Sequence, residues 1–518
     1  MRNIIILCSP TSEDFRKNIP TNRGCFFPPL GLLLVAQALK SAGYEVRFYD
    51  GNYIVNYKQD IAKYLSDNKD EILFFGFYLA LLQIGDCIEI AKMVKAINKN
   101  IPIVVGGAFG EAFPNVVMNS GMIDVCCTGD GARAAQQLAG CLANNKRLHD
   151  LPNIAFMDGD KIITNARSQR DNLDEHNKIY YENFIDLESY VNKFAIYLPK
   201  DYDISIKRAI PILTGLGCSY KCSFCENALL GHKHISLCAE NIVDQIVYYH
   251  EKYDIDAFAF FDEDFFIDKQ RSYKLIELLG KKNLKIKWGT QCRANYFNEQ
   301  YINKKMLKEL AEVGCSRLCI GVESGSPRML DIIKKQIKPE QVIRAAEYGK
   351  DSPIYFSYSF IVNLPDETRE EFCMTFDLID KITAIKKNSF VSAIHRYIAY
   401  PGTPLSIEAE NKCGYKIENE FSFSRFGEIS LKEYNDLINF QNIDWYRECK
   451  LFHYEMQFRS FQASSLIKSA YYFVFKMIGL IRKRLNFYHL PIEIYLIEQI
   501  KLILTELRKK RRISVKAG

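Results

Sequence analysis

The run Ile210-Pro211-Ile212-Leu213-Thr214-Gly215-Leu216-Gly217-Cys218-Ser219-Tyr220-Lys221-Cys222-Ser223-Phe224-Cys225 places three cysteines on a short loop directly after an apolar stretch. Thiolates are the ligands of iron-sulfur clusters, and closely spaced cysteines on a loop can wrap one cube. Three ligands for four irons leave one iron open to a further molecule. A structural zinc site is the other reading of the same spacing. It needs a fourth ligand, for which His232, His234 and Cys238 are near enough in sequence.

Outward from this loop the sequence alternates short apolar runs with amphipathic stretches. Strands are expected near 210–214, 256–262, 284–290, 316–322, 354–362 and 389–398, with helices between them. Six such units over 206–405 predict a partial (β/α) barrel. Residues 1–148 show a second βα series, with strands near 3–8, 45–49, 72–77, 102–106 and 123–127 and a helix from Leu30 to Ala42 stopped by Gly43. That pattern predicts a doubly wound, Rossmann-like parallel sheet, whose ligands sit beyond the carboxyl ends of its strands. Residues 149–205 read as a linker with a hairpin around Asp158-Gly159-Asp160, and 406–518 read as mostly helical. The fold class is therefore α/β with a helical C-terminal region.

At 518 residues the chain exceeds one ordinary core, and 48% hydrophobic with 25% charged residues excludes wholesale disorder. Sixteen cysteines without a secretory signal at the start predict a reducing, cytoplasmic setting rather than a disulfide framework. No apolar stretch is long enough to span a bilayer. The net charge of +6 is uneven: from Lys476 onward eleven Lys and Arg face three Glu. Attraction to anionic partners therefore belongs to the C-terminal end. There, 466–484 and a second helix expected from Pro491 to Leu507 read either as an in-plane amphipathic anchor or as a cap over the site with a solvated basic tail. RNA binding has no dedicated module to support it.

The Cys-x-x-x-Cys-x-x-Cys loop, followed in order by Phe261-Asp262-Glu263-Asp264-Phe265, Gln291-Cys292-Arg293, Gly321-Val322-Glu323-Ser324-Gly325 and Asn363-Leu364-Pro365, resembles the radical S-adenosylmethionine (SAM) superfamily. One such segment ends each βα unit. The resemblance implies a 4Fe-4S cluster on Cys218, Cys222 and Cys225. It implies SAM contacts at Phe224, Asp262, Glu263, Asp264, Arg293, Glu323, Ser324 and Asn363. Carboxylates can hold an ammonium or ribose hydroxyls, and Arg293 can pair with a carboxylate.

Phe27-Pro28-Pro29-Leu30-Gly31-Leu32, Gly43-Tyr44-Glu45-Val46 and Val105-Gly106-Gly107 are similar to the cobalamin-binding domain that precedes many such cores, and Tyr400-Pro401-Gly402-Thr403-Pro404 resembles the end of that branch's core. Cobalamin contacts are then expected at Tyr78, Gly106, Gly107, Ala108, Gly129 and Asp130. A nucleotide-binding Rossmann-like domain is the alternative, although no Gly-x-Gly-x-x-Gly follows the first strand. Residues 1–148 contain no histidine, so this domain offers no imidazole to the lower face of a corrin. The branch's commonest activity is methylation of unactivated carbon by a radical route. Its implied partners are an external electron donor such as flavodoxin or ferredoxin and a small-molecule or lipid substrate. Ring formation, rearrangement, or a non-catalytic sensor would use the same cofactors.

Overall fold

The structure is a computed structural model that describes residues 2–11, 27–54, 56–80, 83–168, 172–176, 178–191, 208–413, 445–459 and 466–489. The helix expected at 491–507 and the basic residues after it lie outside the described residues.

The first sheet has seven strands: β1 (Ile4–Ser9), β2 (Glu45–Asp50), β3 (Ile72–Tyr78), β4 (Ile103–Gly106), β5 (Val125–Cys127), β6 (Ile154–Asp158) and β7 (Lys161–Thr164). Their order is β2-β1-β3-β4-β5-β6-β7. The first five are parallel. Every residue of β1 is buried, as both faces of a parallel sheet are covered by helices. Three helices matter for the site: α1 (Leu30–Ser41), α2 (Ala108–Ala112) and α3 (Gly131–Ala143). The buried side of α1 carries Leu30, Leu33, Leu34 and Leu39, and the helix ends before Gly43, whose φ of +89° suits glycine.

Parallel register sets Ser9 opposite Asp50 and Tyr78 opposite Gly106, so these strand ends share one edge. Strand order reverses at β1/β3, which makes that edge a topological switch point. The hairpin read from the sequence as part of a linker instead continues this sheet. β6 pairs antiparallel with β5, and β7 with β6. An apolar run, Ile154 to Phe156, is buried there, and turn chemistry alone does not reveal that burial.

The second sheet holds β8 (Ala209–Ile212), β11 (Ala257–Phe260), β12 (Lys287–Cys292), β13 (Cys315–Glu323), β14 (Tyr355–Val362) and β15 (Ser389–Arg396). They are parallel and in sequential order. A two-stranded ladder, β9 (Gly215–Leu216) with β10 (Ile235–Ser236), flanks the cysteine loop. β8 and β15 do not pair, so six strands form the expected partial barrel. Helix α4 (Glu226–Leu230) follows the loop, α5 (Trp445–Arg459) packs against β15, and α6 (Leu466–Leu485) packs against α5. Among the described residues no helix is long and apolar enough to cross a membrane.

The two sheets meet through specific contacts. Phe27 packs among Ala209, Ala257 and Ala259 and lies 4.8 Å from the Phe261 ring. Glu111 on α2 is ion-paired with Arg167 (3.2 Å) and with His232 Nε2 (2.8 Å). A Cβ at Gly402 would come within 2.8 Å of the Phe113 ring, so this glycine allows the end of the barrel to sit against the first domain.

Candidate functional site

The cysteine loop is pinned at its centre. Ser223 N donates to Ile333 O (2.9 Å) and Ser223 O accepts from Leu405 N (2.9 Å). Ser223 Oγ donates to Ile332 O (3.1 Å). Cys222 is buried, and Cys218 and Cys225 are half-buried. Burial pushes the Cys225 thiol up to about 11, with Cys222 and Cys218 adding to the rise and Lys335 opposing it. Burial raises Cys218 too, against a lowering by Arg293.

Among the described residues no three Cys, His, Asp or Glu side chains already converge at ion-binding distance. The fit to a cluster rests on the donor set: three thiols on one loop, close enough to repel as thiolates, beside two cations. Of the alternative zinc ligands, His232 is engaged away from the loop, whereas His234 Nε2 has no partner among the described residues. His232 bonds Glu111, and His234 Nδ1 bonds Gly217 O at 3.1 Å. Cys238 is the N-cap of the helix Ala239–Tyr253, its N–H held by Asp174.

Several expected SAM contacts gather beside this loop. Arg293 stacks 3.5 Å from the Tyr220 ring centroid. Its Nη1 lies 3.9 Å from Cys222 Sγ, and its Nη2 donates to Lys335 O. Glu323, at φ +69°, pairs with Lys335 at 2.7 Å, both side chains nearly buried. Gly321 makes room for this pair: a Cβ there would sit 2.8 Å from Glu323 and 2.9 Å from Lys335. Lys335 Nζ also stands 6.0 Å over the Phe224 ring.

Asp264 is buried, and burial raises its carboxyl to about 6 although Tyr296 and Arg293 pull it down. Tyr296 Oη donates to its Oδ2 (2.6 Å). Asp264 Oδ1 and Asn363 Oδ1 are buried acceptors without partners among the described residues. Such atoms cost free energy unless a ligand donates to them, and the ammonium, ribose and adenine of SAM carry donors. These residues therefore fit SAM.

Two residues expected at the site are turned inward. Asp262 Oδ1 accepts from Thr214 N (3.1 Å) and Oγ1 (2.6 Å), and its Oδ2 pairs with Arg271 (3.2 Å). Its side chain is fully enclosed, so it braces the strand ends. Ser324 Oγ accepts from Ser326 N (3.1 Å) and meets Thr375 Oγ1 (3.4 Å). Glu263 Oε2 accepts from Gly217 N (3.0 Å) and faces the cavity described next.

A cavity of about 600 Å³ lies between the two sheets. Tyr78, Gly106, Gly107, Ala108, Gly129 and Asp130 line it from the first sheet. Phe261, Glu263, Glu226, Asn227, Leu230 and His232 line it from the barrel side. Gly107 has φ +104°, and a Cβ there would lie 2.9 Å from the Tyr78 ring and Leu79 O. A Cβ at Gly129 would lie 2.6 Å from Asn153 Oδ1. Backbone at both positions can therefore approach a large ligand closely, which fits a corrin laid on the switch point. One oxygen of Asp130 is spent capping α3, accepting from Ala132 N at 3.1 Å. Lys335 was not singled out from sequence, and His232 was named there only as a possible zinc ligand; its contact with Glu111 spans 121 residues.

The profile of the radical SAM superfamily matches residues 212–379, and that of the B12 binding domain matches residues 19–139. The chain thus carries a radical SAM domain and, ahead of it, a B12 binding domain. It is similar to an uncharacterized methyltransferase of Pyrococcus horikoshii, 29% identical over 405 residues, 77% of this chain and 82% of that one. It is also similar to the hopanoid C-3 methylase of Methylococcus capsulatus, 24% identical, with 72% and 67% covered. Among solved structures, the cobalamin-dependent radical enzyme OxsB with aqua-cobalamin and SAM bound shares the fold at TM-score 0.68. The identity is 17%, over 98% of this chain and 75% of that one. The radical SAM methyltransferase TsrM of Kitasatospora setae, with cobalamin and a [4Fe-4S] cluster bound, aligns at TM-score 0.64 and 16% identity, with 80% and 79% covered.

Proposed function

We propose that this chain is a cobalamin-dependent radical SAM methyltransferase acting on an unactivated carbon. The observation that carries this reading is the shared cavity: the glycine-rich ends of β4 and β5 and the helix leaving the cysteine loop wall the same space. Cys218, Cys222 and Cys225 would hold the 4Fe-4S cluster. Phe224, Asp264, Arg293, Glu323 and Asn363, with Lys335, would hold SAM. Tyr78, Gly106, Gly107, Ala108, Gly129 and Asp130 would hold cobalamin. When bound, the cluster with SAM supplies a 5′-deoxyadenosyl radical and cobalamin supplies the methyl group.

The chain's own residues bind, orient and exclude water. Phe27, Leu213, Leu216, Leu230 and Phe261 give the cavity apolar walls that keep water from a radical. Arg293, stacked and hydrogen-bonded on three sides, holds a fixed positive charge beside the loop. Asp264 and Asn363 offer pre-positioned acceptors whose desolvation is already met by folding. Glu111, held by Arg167 and His232, fixes the distance between the two halves of the site.

An external electron donor such as flavodoxin or ferredoxin, a small-molecule or lipid substrate and a reducing cytoplasm accord with this chemistry. Nucleic acid is not part of the reading. The test is incubation of the reconstituted, reduced enzyme with methyl-labelled SAM and an anaerobic metabolite extract. Methyl transfer yields a labelled product together with S-adenosylhomocysteine and 5′-deoxyadenosine. A product accompanied by 5′-deoxyadenosine without label would overturn methyl transfer and assign ring formation or rearrangement.

A further inference from the structure

Helix α6 is mounted with its apolar stripe facing away from the protein. Its inward side packs on α5 through Phe475 against Phe452 (5.5 Å between rings), Gly479, where a Cβ would lie 3.2 Å from His453, and Lys483. Lys483 pairs with Asp380 and lies over the Tyr454 ring. Those three positions recur every four residues and so form one face.

The opposite face carries Val474, Met477, Ile481 and Leu485, spaced three, four and four apart, with exposures of 51%, 44%, 57% and 67%. Leu480 and Phe487 add 42% and 43% beside it. A surface helix ordinarily buries this face. Here a half-buried glycine and phenylalanine face α5 while the large aliphatic side chains stand in water. Scattered exposed apolar residues need no explanation, but a contiguous stripe marks an interaction surface.

The flanks of the stripe identify the partner by charge. On the helical wheel Arg484 falls on one side of the stripe and Arg482 on the other, and the helix has no Asp or Glu at all. Arg484 has no acidic partner among the described residues. Apolar side chains on one face with basic side chains along both borders is the arrangement of a helix lying in the plane of an anionic bilayer, where the cations meet lipid phosphate. The sequence beyond the described residues adds further Lys and Arg. Nucleic acid would match the charge but not the aliphatic stripe.

We propose that the outward face of α6 is a peripheral anchor for an anionic membrane surface, seated through Val474, Met477, Ile481 and Leu485. The anchor is independent of the reaction assigned to the cavity.

The test is flotation of the full-length, cofactor-loaded protein with vesicles of phosphatidylcholine alone or of phosphatidylcholine mixed with phosphatidylglycerol. Wild type is expected to float with the anionic vesicles, to bind neutral ones far more weakly, and to detach as salt rises. Met477→Glu with Ile481→Glu is expected to lower partition by roughly tenfold or more, with cobalamin and iron content unchanged. Arg482→Gln with Arg484→Gln is expected to weaken binding to anionic vesicles specifically. Equal binding by the glutamate variant, or no flotation of wild type with either vesicle, overturns the proposal. Sedimentation of the same samples separates the rival occupant. A wild-type dimer that becomes monomeric in the glutamate variant, with no vesicle binding, would make this face a contact between two copies.

Discussion

Arg447→Met tests how α5 supports the SAM site. Arg447 Nη1 lies 3.3 Å from Glu367 Oε2, and its Nη2 donates to Glu367 O. The same Oε2 accepts from Asn363 N at 2.8 Å, so the arginine reaches the SAM loop through one carboxylate. Glu367 Oε1 is buried without a partner among the described residues. Burial raises this carboxyl to about 7, with the Asn363 N–H and Arg447 opposing the rise.

A folded value above the unfolded one near 4.5 means that the folded state binds the extra proton. Stability contributed here is full below about pH 4.5 and is lost as pH rises through about 7. At pH 8 the ionised group with its arginine already costs about 3 kcal/mol relative to the unfolded chain. Without the arginine the carboxyl takes up a proton instead, and that cost is capped near 5 kcal/mol at pH 8. The added loss is therefore about 1.5 kcal/mol. The lost bond to Glu367 O adds about 1 kcal/mol. At pH 6 the carboxyl is mostly protonated in both proteins and only the second loss remains.

Hydrogen exchange of the segment 363–371, corrected for intrinsic rates, should lose protection roughly 50-fold at pH 8 and about fivefold at pH 6. SAM affinity measured by equilibrium dialysis should fall in the same order, while Arg447→Lys restores part of both. Equal losses at the two pH values would refute the assigned role of Glu367.

Three further outcomes follow from the geometry. Gly107→Ala places a methyl 2.9 Å from the Tyr78 ring at a φ of +104° and should cost about 1–3 kcal/mol locally; cobalamin retained through gel filtration should fall roughly tenfold while iron content is unchanged. Lys335→Met strands the nearly buried Glu323, a loss of about 3–5 kcal/mol when one partner of a buried pair is removed; SAM binding by equilibrium dialysis should weaken at least as much as in the arginine variant, with Lys335→Arg recovering it. Glu111→Gln removes the charge shared by Arg167 and His232; limited proteolysis between the two sheets should accelerate several-fold, consistent with about 1 kcal/mol or more for a partly buried pair.

The strands were legible because parallel sheets covered on both faces leave apolar runs, as in Ile4–Leu7 and Ile72–Phe75, and because cysteine spacing is local. The six positions expected to meet cobalamin share a cavity for a similar reason: strand ends of one parallel sheet must lie along one edge. The hairpin at 154–164 showed its turn but not its sheet, since pairing with β5 is a tertiary event.

Asp262 and Ser324 were drawn toward the ligand because type and position along the chain cannot say which way a side chain turns once its strand has ended. β11 stops at Phe260, so alternation no longer orders residues 262–264, and Arg271 from the following helix decides the outcome. Lys335, His232 and Arg447 act through partners 12 to 121 residues away. No local pattern marks them. The stripe on α6 was visible as composition, but only packing shows that its apolar side faces outward.

The central claim is tested most directly by anaerobic reconstitution with iron, sulfide and cobalamin, followed by reduction in the presence of SAM and mass spectrometry for 5′-deoxyadenosine, comparing wild type with Cys222→Ala. The account predicts 5′-deoxyadenosine from wild type alone, with cobalamin retained by both proteins. A wild type with its 4Fe-4S cluster fully built and SAM bound that forms no 5′-deoxyadenosine would contradict it.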